Sequence, residues 1–386
     1  MSYKSQLSGI KDTTVIKNIT KDSMNYLLFN IFQETKFKFI VDIVEDNFEL
    51  ELSKKEIEFY NKDIEIIKFP EWNTIPYDVN SPQLKIQMER MEAIYKLLNF
   101  NDLYKNKKVI FLISKNAIIQ KVINKKDFRF IKFFIGQDIS AKDIENILKD
   151  NCYENSETSV NLGDYSINNN VIDLITFDNQ CYRIILKQNK IENIKSFNPD
   201  TQIGFDSYDS ILVLPMREII FNENNIQNFK QNYRNSFGIP KDDDYLYQNI
   251  SKKILYNGCE NWFPLFYDNG LETIFDYLPK NSVIAYNSNI DGKIEKYVEQ
   301  IKNYYNLRIL ELECKENKII YNPIKSNLLY IDNNELKDIL KKYTNIIFDV
   351  NNLTTGDNKI EMNIKNIPDF FKESKEVFKS LKEYLN

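Results

Sequence analysis

Between Met24 and Ser114 the chain alternates apolar patterns of helical and of strand period, and this alternation constrains its fold more than any other feature. Met24, Leu27, Leu28, Ile31 and Phe32 recur at the spacing that places them on one helix face. Phe37 to Val44 and Ile64 to Phe69 are apolar runs of strand length. After Pro70 the loop Glu71 to Asn80 leads into Ser81-Pro82. That pair predicts a helix capped by Ser81 with Pro82 at its first position, striped by Leu84, Met88, Met91, Tyr95 and Leu98. Val109 to Ile113 predicts another strand, with a helix after Ser114. Strands that alternate with helices imply an α/β fold, a parallel sheet covered by helices.

From about Phe128 the texture changes. Short strand candidates appear at Arg129 to Ile135, Val171 to Ile175, Tyr182 to Leu186 and Ile191 to Phe197, with Gln188-Asn189 placed as a hairpin turn. They predict a small α+β domain. Ile211 to Leu214, ending at Pro215, is expected to return to the main sheet, and Phe221 to Phe237 to form a helix ending near Gly238. Lys280 to Tyr286 and a helix Lys293 to Tyr305 restore the first pattern. Asn351 to Asn363 is polar and turn-rich, which predicts a linker, and Phe371, Phe378, Leu381 and Leu385 stripe a final helix. At 386 residues the chain is long enough for several cores. The expected division is 1–127, 128–210, 211–350 and 351–386, the last being linker and C-terminal helix.

The chain has no histidine, which removes Ser-His and Cys-His activation and every His-ligated zinc arrangement. The four cysteines, Cys152, Cys181, Cys259 and Cys314, lie far apart without Cys-x-x-Cys spacing, as ordinary reduced side chains do. No apolar run approaches the roughly 18 residues of a membrane span, and the first thirty residues lack the pattern of a secretory signal. A cytoplasmic protein without membrane attachment is expected. The net charge of -5 gives no overall attraction to nucleic acid.

A phosphate-binding loop needs glycines whose backbone N–H groups curl round an anion, with a Lys and a Ser or Thr. The only Gly-Lys pair is Gly292-Lys293, followed by Ile294, and the place ahead of the first helix reads Lys17-Asn-Ile-Thr-Lys-Asp-Ser23. No Asp-Glu pair occurs. Nucleotide hydrolysis and a bound cofactor are therefore not expected. Asp242-Asp243-Asp244 is read as a solvated turn rather than a cation site. Lys121, Lys125, Lys126 and Lys132 are read as surface charge rather than phosphate contacts, and Trp72, Tyr77 and Trp262 as core anchors rather than base-stacking rings.

Phe69-Pro-Glu-Trp-Asn-Thr-Ile-Pro-Tyr-Asp78, Ser81-Pro82 and Arg90 are followed by Gly163-Asp-Tyr165 with Ile172-Asp-Leu174 and by Ser196-Phe-Asn-Pro-Asp-Thr-Gln202. Then come Leu212-Val-Leu-Pro-Met-Arg-Glu218, Gly258-Cys-Glu260 with Pro264-Leu-Phe266, and Phe275-Asp-Tyr-Leu-Pro279. In this order the blocks resemble the N-terminal UvrB-like module of bacterial transcription-repair coupling factors, the Mfd family. The resemblance covers nearly the whole chain. It implies a degenerate helicase or RecA-like parallel-sheet domain built from two chain segments, with a small inserted α+β domain that binds UvrA. The family's nucleotide site is lost in this region. Its RNA-polymerase-binding domain and ATP-driven DNA translocase lie farther along the chain than this sequence extends.

The resemblance also implies a partner surface. Where the family carries an Arg-Gly pair on a strand of the inserted domain, this sequence has Asn168-Asn169, which lacks the permanent charge and planar fork of Arg. Losing such a contact from a buried interface costs about 2 to 5 kcal/mol. Lys195, ahead of Phe197, stands nearest to a second basic station, and Arg183 keeps a basic residue on the paired strand. Arg183, Lys195, Phe197 and Asn168 are the expected UvrA-facing residues, with solvated hairpin charge as the alternative for Arg183 and Lys195. The expected function is a non-catalytic module that recruits UvrA to stalled RNA polymerase in transcription-coupled nucleotide excision repair. The alternatives are a piece of an ATP-dependent DNA translocase whose motor lies elsewhere, and a weak DNA-binding module. The apolar stripe of the final helix is expected to self-associate or fray.

Overall fold

The computed structural model describes residues 7, 10, 12–159, 161–201, 203–314, 320–354 and 358–364. Its main sheet has seven strands in the order Lys359–Glu361, Thr14–Lys17, Thr344–Asp349, Val283–Asn287, Phe39–Val44, Val109–Ser114 and Glu65–Phe69. Every neighbouring pair is parallel. Phe39–Val44 and Val109–Ser114 are buried at every residue, as central strands of a sheet covered on both faces must be. Val41, Ile43, Phe111 and Ile113 face one core with Met91 and Ile94, whereas Ile40, Val44 and Leu112 face a second with Leu28, Ile31 and Leu50. The α/β expectation holds.

Phe39–Val44 and Val283–Asn287 are neighbours whose chain connections diverge. From the first the chain passes towards Glu65–Phe69 at one edge of the sheet, and from the second to Thr344–Asp349 on the other side. In open α/β sheets such a switch point leaves a crevice beyond the carboxyl ends of the two strands.

A separate six-stranded sheet runs Gly204–Ser207, Lys190–Phe197, Cys181–Lys187, Val171–Ile175, Asp164–Asn168 and Glu154–Asn155. Its pairs are antiparallel except the last. Gln188 and Asn189 both have positive φ, 52° and 57°, which suits the twist of the two-residue hairpin expected there. Ile144 and Leu148 of the helix Ala141–Asp150 pack with Tyr165, Ile172, Leu174, Ile184 and Ile194 on one face of this sheet. Ser140 caps that helix by accepting from the Asp143 N–H at 3.1 Å.

Several expectations are corrected. Ser210–Val213 does not rejoin the main sheet. It pairs antiparallel with Ile131–Phe134, so the strands that enter and leave the middle segment close on each other. Part of the expected linker, Lys359–Glu361, is an edge strand beside Thr14–Lys17, with Ile360 buried against the core. The helix after Pro82 begins at Leu84, because Ser81 is drawn to a distant acceptor rather than capping. Asp244 is 1% exposed, accepting from the Tyr247 N–H and the Tyr233 hydroxyl, so the acidic turn ends in a buried cap. The helix expected over Lys293 to Tyr305 extends over Ile290–Glu313. Residues 371–385 lie outside the described part of the chain.

Candidate protein-docking face and buried junction

Alternation along the six-stranded sheet sends Ile172, Leu174, Ile184 and Ile194 into the core, so Asp173, Arg183 and Lys195 share its other face. They are directly opposed across three strands, Asp173 to Arg183 and Arg183 to Lys195. Arg183 donates to both oxygens of Asp173, Nε to Oδ1 and Nη2 to Oδ2, each at 2.7 Å. This fork holds the guanidinium 5.0 Å from the Phe197 ring centroid. Ser159, on the loop before the first long strand, donates to the Asp173 carbonyl at 3.1 Å.

Three of the four expected residues are thus placed together. Arg183 is partly exposed and Lys195 half-buried, so both reach the surface. Phe197 is only 4% exposed and lies under Arg183, so the guanidinium rather than the ring reaches the surface. Asn168 is exposed at the tip of the Asp164–Asn168 strand, opposite Val171 and next to the positive-φ Asn169. Strand spacing puts it about 12 Å from Arg183, at the edge of the patch. Asp173 is not among the residues expected at this face. A single acid between two apolar strand residues, Ile172 and Leu174, is the signal that it faces outward.

The blocks behind the family resemblance converge on a buried junction below this domain. Arg90 forks Glu218, Nε to Oε1 at 2.8 Å and Nη2 to Oε2 at 3.1 Å, and donates to the Pro70 carbonyl at 3.0 Å. Trp72 Nε1 also donates to Glu218 Oε1, at 2.6 Å. Ser81 Oγ donates to Glu260 at 2.7 Å and accepts from the Gly258 N–H at 2.8 Å. Gln87 Nε2 donates to the other Glu260 oxygen at 3.0 Å. Burial pushes the Glu260 carboxyl up, opposed by these donors. Tyr77 and Trp262 are core residues, as expected, while Trp72 is only half-buried.

Where a phosphate loop would follow the strand Thr14–Lys17, three residues, Asn18 to Thr20, connect directly to the turn Lys21–Ser23. Lys17 lies 3.6 Å from Asp349, whose side chain is fully buried. Asp349 also accepts from the N–H groups of Thr354 and Leu353 at 2.6 and 3.2 Å and from Ser288 Oγ at 3.1 Å. Asn18 N–H donates to Asn352 Oδ1 at 2.9 Å. The chain's own side chains satisfy this end of the sheet. Among the described residues no group of three or more His, Cys, Asp or Glu is placed to hold a metal, and no helix is long and apolar enough to cross a membrane.

Fold and site define an α/β protein of the helicase-like, UvrB-like kind, with a parallel sheet assembled from two chain segments and a separate antiparallel domain between them. Residues 131–219 match the family model of the UvrB interaction domain. The chain resembles transcription-repair-coupling factors along most of its length. It is 30% identical to that of Rickettsia conorii over 366 residues, 93% of this chain and 31% of the relative. It is 28% identical to that of Haemophilus influenzae over 288 residues, 74% and 24% respectively. Against that of Escherichia coli it is 23% identical over 235 residues, 60% and 20%. The chain spans about a third or less of the length of these relatives.

Proposed function

We propose that this chain is a non-catalytic UvrB-like module of transcription-repair coupling, whose six-stranded sheet recruits UvrA. The observation that carries the reading is the coincidence of two independent features. The segment similar to the UvrB interaction domain is the one that displays Arg183, locked on Asp173, beside Lys195 on a solvent-facing sheet. A guanidinium already oriented by one carboxylate loses little rotamer freedom on meeting a second acidic group, which suits it to an acidic partner surface. Recruitment to stalled RNA polymerase, and any ATP-driven translocation on DNA, belong in this reading to domains outside this sequence. The protein acts in the cytoplasm.

Calorimetric titration of the chain with UvrA from the same organism tests the proposal. A dissociation constant in the micromolar range or tighter is expected, weakened by Arg183→Ala. No heat of binding at high micromolar concentration would sink it. The runner-up reading, a motor fragment, predicts DNA-stimulated ATP hydrolysis by this chain; the Lys17–Asp349 pair and the three-residue loop favour the non-catalytic reading instead.

A further inference from the structure

The crevice at the switch point between Phe39–Val44 and Val283–Asn287 holds a cavity of about 100 Å³ lined by Lys21, Asp42, Glu49, Ser53, Asn287 and Lys293. Neither the UvrA reading nor the fold requires it. Asp42 projects into it from the middle of the strand Phe39–Val44 and is 4% exposed. Among the described residues no hydrogen bond or ion pair reaches its carboxyl. Every other charged group around the cavity is paired. Glu45 is held by Lys293 and by Lys115, the latter at 3.1 Å. Glu49 is held by Lys21 at 2.9 Å and by the Glu45 N–H at 2.8 Å. Glu56, farther along the same helix as Glu49, accepts from Asn25 at 2.6 Å.

One carboxylate is therefore left over in a crevice of the kind α/β sheets use for ligands. A buried ionised carboxylate is strongly disfavoured unless a cation or donors compensate it. Among the groups that line the cavity the surplus is a single negative charge, Lys21 and Lys293 standing against Asp42, Glu45 and Glu49. A divalent ion such as Mg²⁺ would need an octahedral set of hard oxygens. A singly charged cation with N–H donors fits better: Asp42 supplies the charge, and neutral oxygens of Ser53, Asn25 and Asn287 line the same cavity. The volume admits an ammonium or methylammonium ion and excludes anything of nucleoside size.

We propose that this cavity is a binding site for a small monovalent cation of the ammonium type, taken up by the ionised Asp42 carboxylate. With no cation present Asp42 keeps its own proton below about pH 7, since burial and then the nearby Glu49 push its carboxyl up to about 7. Cation and proton thus compete for one group, and binding lowers the pH at which Asp42 ionises.

The test is a ¹³C NMR titration of the Asp42 carboxyl in the full chain, at equal ionic strength, in ammonium, methylammonium, tetramethylammonium or magnesium chloride. Ammonium and methylammonium at tenfold their dissociation constant should lower the Asp42 midpoint by about 1 on the pH scale, by linkage. Tetramethylammonium, bulkier and without N–H donors, should leave it unmoved. The same midpoint in all four salts would overturn the proposal, and a shift by Mg²⁺ as large as that by ammonium would overturn the monovalent assignment. Asp42→Asn identifies the resonance by its loss. Should that variant not fold, sequential backbone-to-carboxyl assignment on the unsubstituted chain provides the same readout.

Discussion

Arg90 and Glu218 stand 128 residues apart in sequence and form a two-bond fork from which solvent is excluded, with side-chain exposures of 0% and 1%. The fork ties the helix Leu84–Leu98 of the first segment to the chain just after the strand that closes the middle domain. The guanidinium also lies 4.2 Å from the Phe69 ring centroid. Removing one partner of such a pair leaves an uncompensated buried charge. Arg90→Met or Glu218→Leu alone should destabilise the protein by about 3 to 5 kcal/mol in urea unfolding. The double variant, which buries no lone charge, should recover most of that loss. Additive effects of the two substitutions would show that the residues are not coupled.

Gly258 has φ of +81°, and a Cβ built there would sit 2.7 Å from the Val79 carbonyl oxygen. That neighbour is backbone and cannot rotate away. Gly258→Ala should cost about 2 to 4 kcal/mol in chemical denaturation, from a left-handed residue plus a displaced loop. A change below about 0.5 kcal/mol would show that the loop gives way freely.

Asp42 also predicts a pH dependence. Its ordinary carboxyl ionises near 4 in the unfolded chain and, pushed up by burial and then Glu49, near 7 in the folded one. Between those values the folded state binds more protons, so this group's contribution to stability falls as pH rises, by at most about 1.4 kcal/mol per pH unit, and is constant above about 7. Asp42→Asn removes the term. Relative to the unsubstituted chain the variant should gain stability progressively from pH 4 to pH 7, measured by urea unfolding in a buffer free of ammonium and amines. A difference independent of pH would contradict it.

At the docking face, Arg183→Ala strands Asp173 and uncovers Phe197. It should weaken UvrA binding by about 2 to 5 kcal/mol if the pair is buried in the complex. Lys195→Ala, nearer the rim, should cost about 1 kcal/mol or less and reduce the salt dependence. Asn168→Arg restores the family's fork at the edge of the patch and should tighten binding about tenfold, or about 1.4 kcal/mol. Surface plasmon resonance at two salt concentrations separates these effects. Equal affinities for all four proteins would place the UvrA contact elsewhere.

Strand and helix identity was legible wherever it depended on close neighbours. The runs at Phe39–Val44 and Val109–Ser114, the hairpin at Gln188-Asn189 and the order of the motif blocks all stand in the sequence, because periodicity and turn preference act over a few residues. The candidate site was half legible. Arg183 and Lys195 could be named, but Asp173, which aims the guanidinium, could not, since strand register pairs residues that local pattern does not connect.

Tertiary structure decided the rest. Ser81 suits a helix cap, yet its hydroxyl is taken by Glu260, 179 residues away, which offers a charged acceptor in a buried setting. Lys359–Glu361 is too polar to announce a strand, and it becomes one because the edge of Thr14–Lys17 is open to it. Asp42 looks like any acid in a strand until the fold removes water and partners from it. The sequence by itself determined the α/β alternation and the kinship of the chain, through short-range preferences. Which polar groups meet, and that Asp42 meets none, was settled only when segments hundreds of residues apart were packed together, because desolvation and pairing are properties of the assembled interior.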